Sequence, residues 1–153
     1  MNEKTLLEIR PFAGVSRVTF GMQASAVGKE LGEADSTTKN HLGQLVESRS
    51  FANFGYSVSS EELAHIGLGR QMENVFLGST NIFMDPAQNV LSDLTLLDDS
   101  PYIYLGYVVF LKLGISLTGF HDGDIDQKAI SLFPKGAWDK RIPRMNKLKQ
   151  GDI

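Results

Sequence analysis

The sequence predicts an α+β fold, an antiparallel sheet with short helices packed on one face, and three local patterns carry that expectation. In 16–21, Val18 and Phe20 alternate with polar neighbours, the period of a half-buried strand. Asp85-Pro86 stands ahead of Val90, Leu91 and Leu94, which reads as a carboxylate N-cap, a proline at the first helical position and an apolar helical face. Three strand candidates follow at 102–110, 113–120 and 125–133, the last two joined by His121-Asp122-Gly123-Asp124 with its Asp-Gly hairpin signal.

The remaining elements fit around these. Met22, Val27 and Leu31 lie near helical spacing, and Gly32 is placed to close that helix in a left-handed cap. Its start is weak, because Gln23 is a poor N-cap and Gly28 costs about 1 kcal/mol inside a helix. Polar turn formers fill 33–40, after which 42–50 and 51–58 read as strands with Gly55 as a bulge or a close approach. Residues 59–63 read as a brief helical turn or a connection, Gly67-Leu68-Gly69 as a turn, and 74–78 as a strand. The Asp85 helix should end near Thr95, before the turn residues Asp98-Asp99-Ser100-Pro101.

One constant shift aligns Phe20, Val27 and Leu31 with Phe83, Val90 and Leu94, and Phe54 to Val58 matches Leu113 to Leu117 at a slightly different one. Two related halves, each too small to bury its own apolar face, would then share one sheet.

Composition narrows the function. The 153 residues suit a single domain, 1–153, and 42% hydrophobic with 22% charged residues is ordinary for a globular chain. With no cysteine there is no disulfide scaffold, thiolate metal site or thiol nucleophile. The N-terminal residues lack the basic and apolar regions of an export signal, and the apolar 102–115 stretch is shorter than the roughly 20 residues of a membrane helix. A cytoplasmic location without membrane contact is the expectation.

Residues 1–134 hold nine Lys and Arg against sixteen Asp and Glu, and 135–153 hold six against two, so the net charge of −3 divides into −7 and +4. An acidic body repels nucleic acid and steers basic protein surfaces towards itself. The basic tail at 139–153 reads as a solvated end or a phosphate contact, and Trp138 ahead of it as an interface anchor or a docking point on the core.

Catalytic motifs are thin. Asp122, Asp124 and Asp126 begin like an EF-hand loop, but Gln127 replaces the turn glycine and Phe133 the closing glutamate, so neither metal nor cofactor is expected. Asp126-Gln127-Lys128 has the Asp-x-Lys form that some metal-dependent nucleases place on a strand, with Asp98 or Asp99 as an upstream carboxylate. His41, His65 and His121 have no metalloprotease spacing.

The run from Pro11 to Val15, through Phe20-Gly21-Met22 to Val27, Leu31 and Gly32, resembles a pattern of small bacterial immunity and inhibitor-like proteins. A similar strand-helix arrangement occurs in tandem in beta-lactamase-inhibitor-like folds. The resemblance implies an immunity protein of a toxin and immunity pair, of the contact-dependent growth inhibition type, which acts without catalysis by covering a basic toxin domain such as a nuclease. Asp98, Asp99, Asp122, Asp124 and Asp126 are then the candidate partner-binding carboxylates. A general protein-binding module and a nuclease using Asp126 and Lys128 are the alternatives.

Overall fold

The computed structural model describes residues 1–149. The chain opens with three short strands, β1 (Leu7–Arg10), β2 (Gly14–Val15) and β3 (Val18–Thr19), followed by helix α1 (Ala24–Leu31). A four-strand meander then runs through β4 (Ser36–Lys39), β5 (Leu45–Arg49), β6 (Ala52–Tyr56) and β7 (Leu63–Gly69). The second half repeats this order with β8 (Val75–Leu77), β9 (Thr80–Asn81), helix α2 (Ala87–Leu97), β10 (Tyr102–Tyr104), β11 (Tyr107–Phe110), β12 (Ile115–Thr118) and β13 (Ala129–Leu132). A final strand, β14 (Asn146–Lys147), closes the described chain.

The two halves interlock through corresponding strands. In the larger sheet, ordered β14-β10-β11-β12-β13-β7-β6-β5-β4, the last strands of the two meanders pair antiparallel, Ala129 opposite Gly69 and Leu132 opposite Ile66. In the smaller sheet, ordered β3-β2-β1-β8-β9, the first strands pair parallel, Leu7 opposite Val75. The α+β class matches the sequence expectation, but the halves share two sheets, not one, and the smaller is joined by a parallel pair. β6 and β12 hold corresponding places in their meanders, although Ile115, not Leu113, shares the register row of Phe54.

Alternation across the larger sheet decides what lies where. One register row runs Phe54, Ile66, Leu132, Ile115, Phe110, and the next inner row runs Ala52, Leu68, Ile130, Leu117, Val108. All ten are buried in one apolar cluster with Val27 of α1, Val90, Leu91 and Leu94 of α2, and Leu7, Val15 and Val75 of the smaller sheet. Helices and small sheet thus cover one face, and each larger aliphatic or aromatic side chain there contributes about 1.5–3 kcal/mol by leaving water.

Several local expectations are corrected. The polar 36–39 segment is the edge strand β4, exposed along its length, where no apolar alternation is required. Gly67-Leu68-Gly69 is not a turn but the end of β7, its glycines facing outward while Ile66 and Leu68 face the core. The 102–110 stretch is a hairpin, not one strand: Leu105 at φ 50° and Gly106 at φ 84° form the two-residue bend between β10 and β11. Asp85 does not cap α2; Pro86 holds the N-cap position, while Asp85 Oδ2 accepts the Asn81 N–H at 3.0 Å. The helix also runs past Thr95 to Leu97.

Other details follow the residues. Gln23 provides no side-chain cap, and Gly32, at φ 88°, ends α1 by donating to the Gly28 carbonyl at 2.8 Å. Gly55 marks a register shift between β6 and β7, as its small size allowed. Among the described residues no helix is long and apolar enough to cross a membrane.

Candidate partner-binding surface

The outer face of the larger sheet changes character halfway across. Its central row runs from Ser48 through Asn53, Gly67, Ser131 and Ser116 to Val109 and Tyr102, one residue per strand from β5 to β10. The first five are small or polar, and the last two are apolar.

The apolar end is sealed by the chain itself. After β13, residues 134–145 cross back over the sheet, and Asn146 and Lys147 pair with Ile103 and Tyr102 at its edge. Trp138 packs on Phe133 at 5.4 Å between ring centroids and edge-on against Tyr104 at 5.9 Å and Tyr107 at 6.3 Å. Met145, Val109 and Phe133 are buried beneath this segment, so Trp138 docks on the protein's own sheet and much of the basic tail is built into the fold. Residues 150–153 of that tail lie outside the described residues.

The polar end is left open. His65, one of its exposed side chains, sits with Nε2 3.2 Å from Ser131 Oγ. The ring rests on neighbouring backbone, so close that a Cβ on Gly67 would meet Cε1 at 3.3 Å. This loss of hydration lowers the His65 pKa below its ordinary 6.5. Two hollows of about 440 and 350 Å³ flank the His65 and Ser131 pair, the first beside Phe51 and Asn53, the second walled by Tyr104, Tyr107, Trp138 and Arg141. Exposed apolar side chains border the hollows, Phe51 on the β5–β6 turn at the first and Leu105 and Tyr107 of the β10–β11 turn, on the sealed side, at the second; Ile125 is exposed in the β12–β13 connection.

The five candidate aspartates do not form one group. Asp98 is only 1% exposed and is structural, its carboxylate accepting the Ser100 and Lys112 backbone N–H groups at 3.1 Å each. Asp99 is exposed and pairs with Lys112 Nζ at 3.1 Å, a hydrogen bond and charge contact that lowers the carboxyl pKa and raises that of the lysine. Both belong to the α2–β10 connection and are held against Lys112 of the β11–β12 turn. Asp122, Asp124 and Asp126 are exposed in the β12–β13 connection, at the opposite end of β12; none of them lines either hollow, and His121 of the same connection lines a different one with Ile103, Asn146 and Lys147. Among the described residues none of these three joins an ion pair. Arg70 approaches only the Asp126 backbone carbonyl, at 3.3 Å.

The nuclease-like pattern loses its geometry for the same reason. Asp126 lies in a single 3₁₀ turn (Ile125–Gln127), not on a strand, and Lys128 sits over the Phe120 ring at 5.0 Å. Asp98 and Asp99 are at the far end of β12 and supply no neighbouring carboxylate. Among the described residues no group of three or more His, Asp or Glu side chains could hold a metal ion.

A separate cleft of about 400 Å³ lies under the start of α1, lined in part by Ser25, Lys39, Leu45 and Tyr56. Tyr56 on its lining donates to Glu47 Oε1 at 2.6 Å.

Sequence reasoning located the acidic loop and Trp138 but missed the open face. The one signal for it was the alternation of Ile66 and Leu68 with Gly67 and Gly69, which marks a strand whose outer side is bare beyond His65. No protein-family model matches this chain, and neither a curated protein nor a solved structure does.

Proposed function

We propose that this chain acts by binding another protein, as an immunity protein that covers and neutralises a toxin domain in the cytoplasm. The observation that supports the reading best is the uneven cover of the outer sheet face. One end is sealed by residues 134–145, while the other keeps a floor of Gly67, Ser131 and Asn53 between aromatic walls. Aromatic and arginine anchors around a desolvated centre are the make-up of binding hot spots. Phe51, Leu105 and Tyr107 are exposed at the borders of these hollows and would lose water on docking.

Charge supports the same reading. The −7 body attracts a basic partner, and Asp122, Asp124 and Asp126 are exposed and outside any ion pair among the described residues, so they are available to steer it. A toxin that cuts nucleic acid carries a basic cleft because it must grip phosphates. Asp99, already paired with Lys112, contributes less, and Asp98 is buried.

The test is co-expression with the toxic product of the adjacent gene. Protection of the cells, together with a stable purified complex, is the expected result, and Ser131→Trp, which fills the open face, should abolish both. A complex without protection would turn the reading towards a general binding module. The absence of both complex and protection would sink it.

A further inference from the structure

The chemistry of the open face says more about what it holds than the overall charge does. The two hollows meet at His65 and Ser131 and form one trough across β6, β7, β13 and β12. Although the body is acidic, no carboxylate lines either hollow; the ionisable groups are His65 and Arg141. Arg141 lies over the Trp138 ring at 5.2 Å, and no side-chain hydrogen bond or ion pair uses its guanidinium among the described residues. A guanidinium placed over an indole without other partners keeps N–H donors free, and its planar fork fits a carboxylate in bidentate fashion.

The floor is equally informative. Gly67, Gly69, Ser131 and Ser116 offer almost no side chain, so another backbone can approach the sheet closely. The neighbouring part of the same face already seats a covering segment, residues 134–145, a run of turns ending in a 3₁₀ turn (Ile142–Arg144) with Trp138 as its anchor.

On the reading that the chain binds a protein, we propose that the trough receives an extended loop of the partner, with a carboxylate side chain placed against Arg141 and beside His65. An apolar or aromatic neighbour in that loop packs on Tyr104 and Trp138. The partner therefore carries two features, a carboxylate-bearing loop for the trough and a basic surface that answers the acidic body, the Asp122 to Asp126 loop included. Metal-dependent phosphoryl-transfer sites have both, since carboxylates hold the metal inside a cleft that must also attract phosphate.

The experiment pans a random twelve-residue peptide library, displayed on phage, against the immobilised full chain. Enriched peptides should carry Asp or Glu next to an aromatic or aliphatic residue. Their binding should weaken at least tenfold with Arg141→Glu and with Ser131→Trp, both outward-facing positions, and should be unchanged or stronger with Asp124→Lys. Enrichment of basic peptides that Asp124→Lys abolishes, peptides indifferent to Arg141→Glu and Ser131→Trp, or no enrichment over bare support would each overturn the trough assignment. The broader reading is tested apart from this one: protection by co-expression that survives Arg141→Glu would leave the immunity function standing and remove the trough.

Discussion

Tyr56 donates a 2.6 Å hydrogen bond to Oε1 of Glu47, and the same oxygen accepts from Arg49 at 3.2 Å. Arg49, only 2% exposed, also donates from Nε to the Gly32 carbonyl at 2.9 Å and lies over the Phe54 ring at 5.4 Å. The end of α1 is thereby fixed to β5 and β6 by a charged network inside an otherwise apolar face. Burial, followed by the neighbouring Glu47, pushes the Tyr56 pKa well above its usual 10.0.

Breaking that network from one side should be costly. Arg49→Met leaves Glu47 without its cation and is expected to lower stability by about 3–5 kcal/mol, while Tyr56→Phe loses a bond to a charged group, about 1.5–3 kcal/mol. Adding Glu47→Leu to Arg49→Met should recover most of the loss, because an apolar pair of similar volume carries no desolvation penalty. Urea unfolding of the three variants decides it; equal stability of the single and double variants would show that the network is not coupled.

The aspartates should separate into structural and surface classes. Asp98→Ala strands two backbone donors in the interior and should cost about 1–3 kcal/mol. Reversing Asp122, Asp124 and Asp126 to lysine should leave thermal unfolding in place but slow association with the partner by about tenfold or more at low salt, with the difference shrinking as salt rises. Surface plasmon resonance at two ionic strengths reads the second effect, and an unchanged on-rate would take the loop out of the encounter.

Leu105 presents a conflict between folding and binding. A leucine at φ 50° is strained where Asn is tolerated, and this side chain is 78% exposed. Leu105→Asn is therefore expected to stabilise the fold by about 0.5–1 kcal/mol through its turn. It should weaken partner binding at the same time, the trade-off seen where a strained residue serves a site. A higher melting temperature with undiminished affinity would clear Leu105 of any role in binding.

Acidification should act through His65. Its pKa in the folded protein lies below the ordinary 6.5, so the unfolded chain takes up the proton first as pH falls. The stabilising contribution is complete above pH 6.5 and is lost as the pH drops from there through the lowered folded value. Arg141 shares the second hollow with His65, and no carboxylate lines either hollow to offset this. Stability measured from pH 7.5 to 4.5 in His65→Asn should lack this component; an identical pH profile in the variant would assign the loss to other groups.

The limits of the sequence reading have physical causes. Periodicity located α1 and α2 because Val27, Val90, Leu91 and Leu94 must face one core, and Gly32 marked its helix end by conformation alone. β4 was missed because an exposed edge strand such as Ser36–Lys39 has no buried side to impose alternation. β7 was hidden by Gly67 and Gly69, residues that elsewhere mean a turn but here clear the outer face. The bend at Leu105 has none of the usual Asn or Asp, so β10 and β11 read as one strand. The binding surface was the least legible part, since it consists of what is lacking between β6 and β12: bulky side chains and a covering segment.

The interlocked seams also bear on how the chain reaches this state. Leu7 must find Val75, and Gly69 must find Ala129, so each meander can pair within itself but neither sheet is complete until both halves have met. Such sequence-distant pairings spend loop entropy before any contact repays it, and they slow folding. Until the seams close, β7 and β13 are bare edges of matching register, and two chains at high concentration could satisfy them in exchange, each completing the other's sheet.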